Sequence, residues 1–280
     1  MSDIPAVSLP FAKLSGGGND FILIDERRTT VWVEPARLAA ALCRRAQSVG
    51  ADGLLVVGAS SEADLSVVFY NPDGSRAFCG NGTLCAGRWA HAVAGLRETL
   101  RLETDRGIVP VRVRGARVEM DVAPPTDWRE GIPLAPAGRP GHGVHLNTGC
   151  PHLVVLAAEL PEDDAFLAEA RALRHHAELG DVGANVDFAE VADSHRLRLR
   201  TFERGVEGET LASGTGCLAA VLAAASRGLV ISPVTCLVRG GQPLTVRFTP
   251  LEDGFRDVSL EGEARVVYTG ITTAEAFAGA

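Results

Sequence analysis

Two short stretches constrain this chain more than anything else in it. Residues 79–82 read CGNG and residues 213–216 read SGTG, and each runs straight into a small-residue, apolar segment of helical character. An asparagine-containing turn precedes each of them: Gly18-Asn19-Asp20-Phe21 in one case, Ala184-Asn185-Val186-Asp187-Phe188 in the other. A pattern that returns in the same order predicts two similar halves, each with one glycine-gated helix entrance. Glycine lets backbone N–H groups approach a ligand closely, and a helix N-terminus carries partial positive charge. Two such entrances facing one cleft would hold a carboxylate or a phosphate. For either motif alone a tight turn is the plainer reading. The matched pair favours the ligand.

The residues that open the two helices differ. Cys79 stands where the helix dipole and first-turn N–H groups stabilise a thiolate, which makes it the candidate reactive thiol. Ser213 holds the equivalent place at the other entrance. Of the six cysteines, Cys43, Cys85 and Cys236 lie in apolar, periodic surroundings and read as buried, inert thiols. No two cysteines are separated by only two residues, so zinc-ribbon spacing is absent. His142, His145 and Cys150 fall near His152 without the spacing of a standard metal site, and no metal is expected. Gly214-Thr215-Gly216-Cys217-Leu218-Ala219 fits a dinucleotide fingerprint in form only. GETLAS before it is a poor strand, and the next acidic residue is Glu252. His152 follows a Gly-Cys-Pro turn and precedes an apolar run, where a histidine is structural by default. Glu203 and Arg204 close an alternating segment; they read as a solvated turn or as a guanidinium placed to fork onto a carboxylate.

The length, 280 residues, suits one large domain or two ordinary ones. Apolar residues make up 46 % of the chain, enough for a buried core, and the net charge of −8 recommends neither nucleic acid nor an anionic membrane as partner. The N-terminus shows no secretory pattern, and the run LAAVLAAA is too short to span a bilayer, so a cytoplasmic protein is expected. Alternation predicts strands at 67–71, 196–202 and 244–248, and a hairpin over 109–122 that turns at Arg114-Gly115-Ala116. Helices are predicted over 34–46, from about Gly82 to Ala94, within 161–179, and from Gly214 to a stop at Arg227-Gly228. Many antiparallel strands with few helices indicate an α+β fold. The proline-rich stretch from Ala123 to Arg139 is the candidate boundary, giving halves of 1–128 and 129–265, with the tail from about 266 to 280 returning to the first.

Taken in order, GGGNDFILID, GADGLLVV, YNPDGS, CGNG, NTGxPH, ANVDF, RTFERGVxGET and xGTG resemble the diaminopimelate epimerase family from Gly16 to about Gly228. The resemblance implies two pseudo-symmetric halves, each a curled antiparallel sheet around a central helix, with the active site in the cleft between them. It implies cofactor-independent inversion of an amino acid's α-carbon, a soluble homodimer, and a small amino acid as substrate. It places Asn19, Asn71, Asn185 and Arg204 on the distal end of the substrate. Gly80, Asn81, Gly214 and Thr215 hold the reacting carboxylate, and His152 and Glu203 support the two bases. Cys79 matches one family cysteine, while Ser213 stands in place of the other. Cys150 stands where the family usually has asparagine, in a turn that lines the substrate.

A hydroxyl is a far weaker acid than a thiol, so Ser213 leaves several readings open. The chain is an epimerase of low turnover, or Cys150 or Cys217 supplies the second base, although Cys217 lies a full turn inside its helix. Alternatively it is a one-base isomerase, dehydratase or racemase of another amino or hydroxy acid. A non-enzymatic amino-acid-binding protein is the remaining alternative.

Overall fold

In a computed structural model, residues 8–30 and 33–277 are described; residues 1–7 and the last three of the tail at 266–280 lie outside them. The chain forms two compact units. Residues up to Met120 and those from Gly262 on make one, and Asp121–Glu261 make the other. The proline-rich stretch 123–139 carries a strand, Thr126–Pro133, and a single 3-10 turn, Ala135–Ala137. The crossing lies just ahead of it.

Both units repeat one element order. The first runs through strands Pro10–Gly16 and Asn19–Asp25, helix α1 (Pro35–Leu42), strands Gly53–Gly58, Leu65–Tyr70 and Arg76–Ala77, helix α2 (Gly80–Ala92), then Thr99–Thr104, Gly107–Arg114 and Arg117–Asp121. The second runs through His142–Asn147 and Pro151–Ala157, helix α3 (Asp163–Arg174), strands Asn185–Asp193, Arg196–Glu203 and Gly208–Thr210, helix α4 (Gly214–Ser226), then Val234–Val238, Leu244–Leu251 and the start of Gly254–Ile271. The tail strand pairs antiparallel with Pro10–Gly16, Gly270 opposite Phe11. The short echo in sequence is therefore a full repeat of topology.

The sheets are mostly antiparallel, with parallel pairings at equivalent places. Phe21 pairs with Gly53 in the first unit and His152 with Asn185 in the second. Parallel neighbours need a long crossover, and helices α1 and α3 supply it. Each crossover helix buries an apolar face on its pair of strands. Leu38 and Leu42 pack with Ile22, Ile24 and Leu54, and Phe166, Ala170 and Leu173 pack with Leu153, Val186 and Phe188. Helix α3 has Asp163 and Asp164 in its first turn and Arg171 and Arg174 in its last, as its dipole favours.

Helices α2 and α4 are different in kind. From Gly216 to Ala224 every residue of α4 is buried, and α2 is buried from Asn81 to Gly87. A helix enclosed on all sides is mostly apolar, and the Ala and Gly of these two let their neighbours approach closely. A Cβ at Gly87 would sit 3.2 Å from Val111. Each enclosed helix is thus packed on all sides within its unit, and that packing places its N-terminus. No helix among the described residues is long and apolar enough to cross a membrane.

Candidate active site

In the first unit Cys79 is the N-cap of α2, with extended backbone (φ −128°, ψ 111°), and its Sγ accepts the Gly82 N–H at 3.3 Å. Helix geometry leaves the N–H groups of Gly80 and Asn81 without intrahelical acceptors. The buried Asn81 amide donates to the Gly17 carbonyl at 3.1 Å and to Asn19 Oδ1 at 2.9 Å. Asn19 in turn donates to Asp52 at 3.1 Å. Gly17 has φ +59°, and a Cβ there would overlap the Asn81 carboxamide, so this turn must be glycine. Asn81 Oδ1 is buried without a hydrogen-bond partner. An acceptor left open beside a helix cap is a place for a ligand N–H. Asn71 is engaged in its own turn, donating to Ser75 Oγ at 3.0 Å.

The second unit repeats the cap with oxygen for sulfur. Ser213 is the N-cap of α4 (φ −131°, ψ 113°) and its Oγ accepts the Gly216 N–H at 3.1 Å. Gly214 and Thr215 occupy the places of Gly80 and Asn81. Thr215 is held by Thr148 Oγ1, which donates to its carbonyl at 2.8 Å. Around this cap the structure assembles a polar cluster. Cys150 Sγ lies 3.2 Å from His152 Nε2 and 3.4 Å from Thr215 Oγ1, and it accepts from Asn185 Nδ2 at 3.4 Å. Asn185 Oδ1 accepts the backbone N–H of Arg204 at 2.8 Å, fixing the turn that follows Glu203. The other imidazole nitrogen of His152 meets Asp187 Oδ2 at 2.6 Å, and Thr201 donates to Asp187 Oδ1 at 2.6 Å. Gly216 is glycine because a Cβ would lie 2.6 Å from that same carboxylate oxygen.

The electrostatics follow from this arrangement. Burial would push the His152 imidazole down, but the Asp187 carboxylate and the Cys150 sulfur outweigh it and raise the ring to about 10. Burial would raise the Cys150 thiol, but the His152 charge and hydrogen bond, with that of Thr215, hold it below the usual thiol value. The pair is shifted toward thiolate and imidazolium. Burial raises the Glu203 carboxyl. Cys217 behaves in the opposite way to Cys150: completely buried and next to Cys236, it is pushed far up. It has no route to acid–base work at the cap. Cys43, Cys85 and Cys236 are buried thiols.

His145 belongs to a separate cluster with Arg129 and the Asp127 carbonyl. Among the described residues no three metal-ligating side chains converge. A groove of about 530 Å³ in the first unit is lined by Phe11, Leu23, Trp89 and Ile271, and by none of the candidate residues.

The profile of the diaminopimelate epimerase family matches residues 11–126 and 144–265. The diaminopimelate epimerase of Chlorobaculum tepidum is 39 % identical over 93 % of this chain and all of its own. That of Gemmatimonas aurantiaca is 38 % identical over 94 % of this chain and 98 % of its own. The chain belongs to the diaminopimelate epimerase family. Among solved structures, a phenazine biosynthesis protein of the PhzF family from Bacillus anthracis superposes with a TM-score of 0.74 at 17 % identity, covering 95 % of this chain and 99 % of its own. A hydroxyproline epimerase from Agrobacterium vitis gives 0.65 at 14 % identity, covering 96 % of this chain and 93 % of its own. At such identities these two share the fold.

The motifs CGNG and xGTG form the two helix caps, GGGND supplies Gly17 and Asn19 beside the first, and NTGxPH, ANVDF and RTFERGVxGET supply groups around the second. Two participants carried no assignment from sequence. Asp187 and Thr201 anchor His152 from behind, and the signal for Asp187 was present. A carboxylate between Val186 and Phe188 in a buried strand requires a partner. The GET segment, a poor strand by composition, does pair with Arg196–Glu203, Glu209 opposite Phe202. The pairing register of this hairpin overrides its weak propensity.

Proposed function

We propose that this chain interconverts LL- and meso-diaminopimelate by removing the α-proton and returning one to the opposite face, without a cofactor. The observation that carries the reading is Cys79 at the N-cap of a buried helix, in a chain of this family. An amino-acid α-proton is weakly acidic, so the charge that builds on the carboxylate needs fixed dipoles. The N–H groups of Gly80, Asn81, Gly214 and Thr215 supply them in this reading. The open Asn81 Oδ1 suits the substrate ammonium. Arg204, with Asn19, Asn71 and Asn185, takes the distal end, where a guanidinium forks onto a carboxylate. His152 and Glu203, both in the second unit, support the two proton carriers, and Cys150 belongs to the substrate's surroundings.

Incubation with each diaminopimelate isomer in D₂O tests the reading, with deuterium and configuration at the α-carbon followed together. Both isomers are expected to invert and to carry deuterium at the inverted centre. Ser213 favours a second reading, one-base chemistry, which would give exchange without inversion. A chain that binds diaminopimelate and does neither is a binding protein.

We infer a cytoplasmic homodimer as its setting. The six thiols are free, as in a reducing compartment. Tyr268, Val267 and Ile271 are exposed beside the apolar groove of the first unit. Light scattering is expected to give twice the 29.4 kDa chain mass. A monomer at micromolar concentration would contradict this.

A further inference from the structure

We propose that Cys150 is the acid–base group of the Ser213-bearing unit, so that the second proton carrier is a thiol on the turn before Pro151 rather than the hydroxyl at the helix cap. The inference rests on the epimerase reading above and deepens it.

The geometry is that of a prepared thiol. Three polar side chains surround its sulfur: His152 at 3.2 Å, Thr215 at 3.4 Å and Asn185 at 3.4 Å. A cysteine acting as a small hydrophobe is fully buried, as Cys217 and Cys85 are. His152 is aimed at the sulfur by Asp187, which is completely buried and fixed by Thr201. A thiol, an imidazole and an orienting carboxylate in sequence is the arrangement that activates a cysteine. Cys150 remains partly exposed, while the imidazole behind it does not.

Position matters as much as activation. The Thr215 hydroxyl lies 3.4 Å from Cys150 Sγ and 3.4 Å from Ser213 Oγ, so one hydroxyl links the thiol to the cap. Ser213 Oγ meanwhile accepts the Gly216 N–H. It does the structural work of an N-cap, and as an acid it is far weaker than a thiol. The thiol chemistry absent from the cap thus reappears one hydroxyl away. Cys217 is excluded by its burial.

The proton balance is simple. The Cys150 thiolate takes the α-proton: the C–H bond breaks, an S–H bond forms, and the electron pair passes into the carboxylate-stabilised carbanion. The Cys79 thiol then gives its proton to the opposite face, breaking S–H and forming C–H. Cys150 ends as thiol and Cys79 as thiolate, ready for the reverse direction. His152 keeps its proton throughout and is a positioning residue.

Cys150→Ala and Ser213→Ala separate the two candidates. In Cys150→Ala, inversion is expected to fall by about 10²-fold or more. Deuterium exchange without inversion persists for the isomer whose α-hydrogen faces Cys79, which also shows that the variant is folded. Ser213→Ala is expected to invert within about threefold of the unsubstituted protein. Inversion that survives in Cys150→Ala, or is lost in Ser213→Ala, overturns the proposal. If the unsubstituted protein is inert toward both isomers, the substrate reading fails, and alkylation decides the thiol. Iodoacetamide labelling of Cys150 against pH, read by peptide mass, should have a midpoint clearly below the ordinary thiol value near 8.5. A midpoint at or above that value overturns the assignment.

Discussion

Cys79→Ser is expected to lower epimerisation by about 10²–10⁴-fold, the usual worth of a positioned acid–base group, while leaving the protein as stable as before. The chain contains its own control for the second half of that statement. Ser213 caps α4 with nearly the same backbone angles that Cys79 adopts at α2, and its oxygen accepts the equivalent N–H. A serine at 79 therefore keeps the cap, whose loss to alanine would cost about 1 kcal/mol. What it cannot keep is the thiol's acidity. Cys79→Ala would lose both, and the difference between the two variants in thermal midpoint measures the cap alone. Turnover of Cys79→Ser within tenfold of the unsubstituted protein would show that Cys79 is not a proton carrier.

The repeat itself was legible because helix entrances have strict local needs. Each entrance pairs an N-cap residue with two glycines at the mouth of an enclosed helix, so CGNG and SGTG stand out in the sequence. The strand pattern was legible for a similar reason: Arg196–Glu203 and Leu65–Tyr70 alternate with the period of a half-buried sheet. Parallel pairing was less visible. Nothing in Asn19–Asp25 or Pro151–Ala157 distinguishes a parallel neighbour from an antiparallel one, and only the crossover helix decides it. The cluster around Cys150 could not be read at all from spacing. His152 is two residues away, but Asn185, Asp187, Thr201 and Thr215 arrive from three later elements. The pairing of His152 with Asn185 across the parallel strands brings them together. Sequence supplied the residue types; register supplied the site.

That register concentrates stability in one contact. Asp187 and His152 are both completely buried, 2.6 Å apart, and removing the carboxylate leaves the imidazolium with the Cys150 sulfur as its one remaining anionic neighbour. Asp187→Ala is expected to cost about 3–5 kcal/mol, the usual penalty for breaking a buried pair from one side. In a unit of this size that lowers the thermal midpoint by roughly 10 °C. Asp187→Asn keeps the volume and some hydrogen bonding, and should cost less. The pH dependence separates charge from packing. His152 is raised from 6.5 to about 10, so its contribution is complete below 6.5 and is lost as pH rises through 10. Cys150 is lowered from 9.0, so its contribution is complete above 9 and is lost as pH falls through its folded value. Between the folded value of Cys150 and 9 the two slopes oppose each other. Above 9 only the histidine slope remains, and the protein should weaken as pH rises from 9 through 10. Denaturant midpoints across that window should fall more steeply for the unsubstituted protein than for Asp187→Asn. Equal slopes would mean that His152 is already neutral at pH 9, and the thiolate–imidazolium description of this cluster would fail with it.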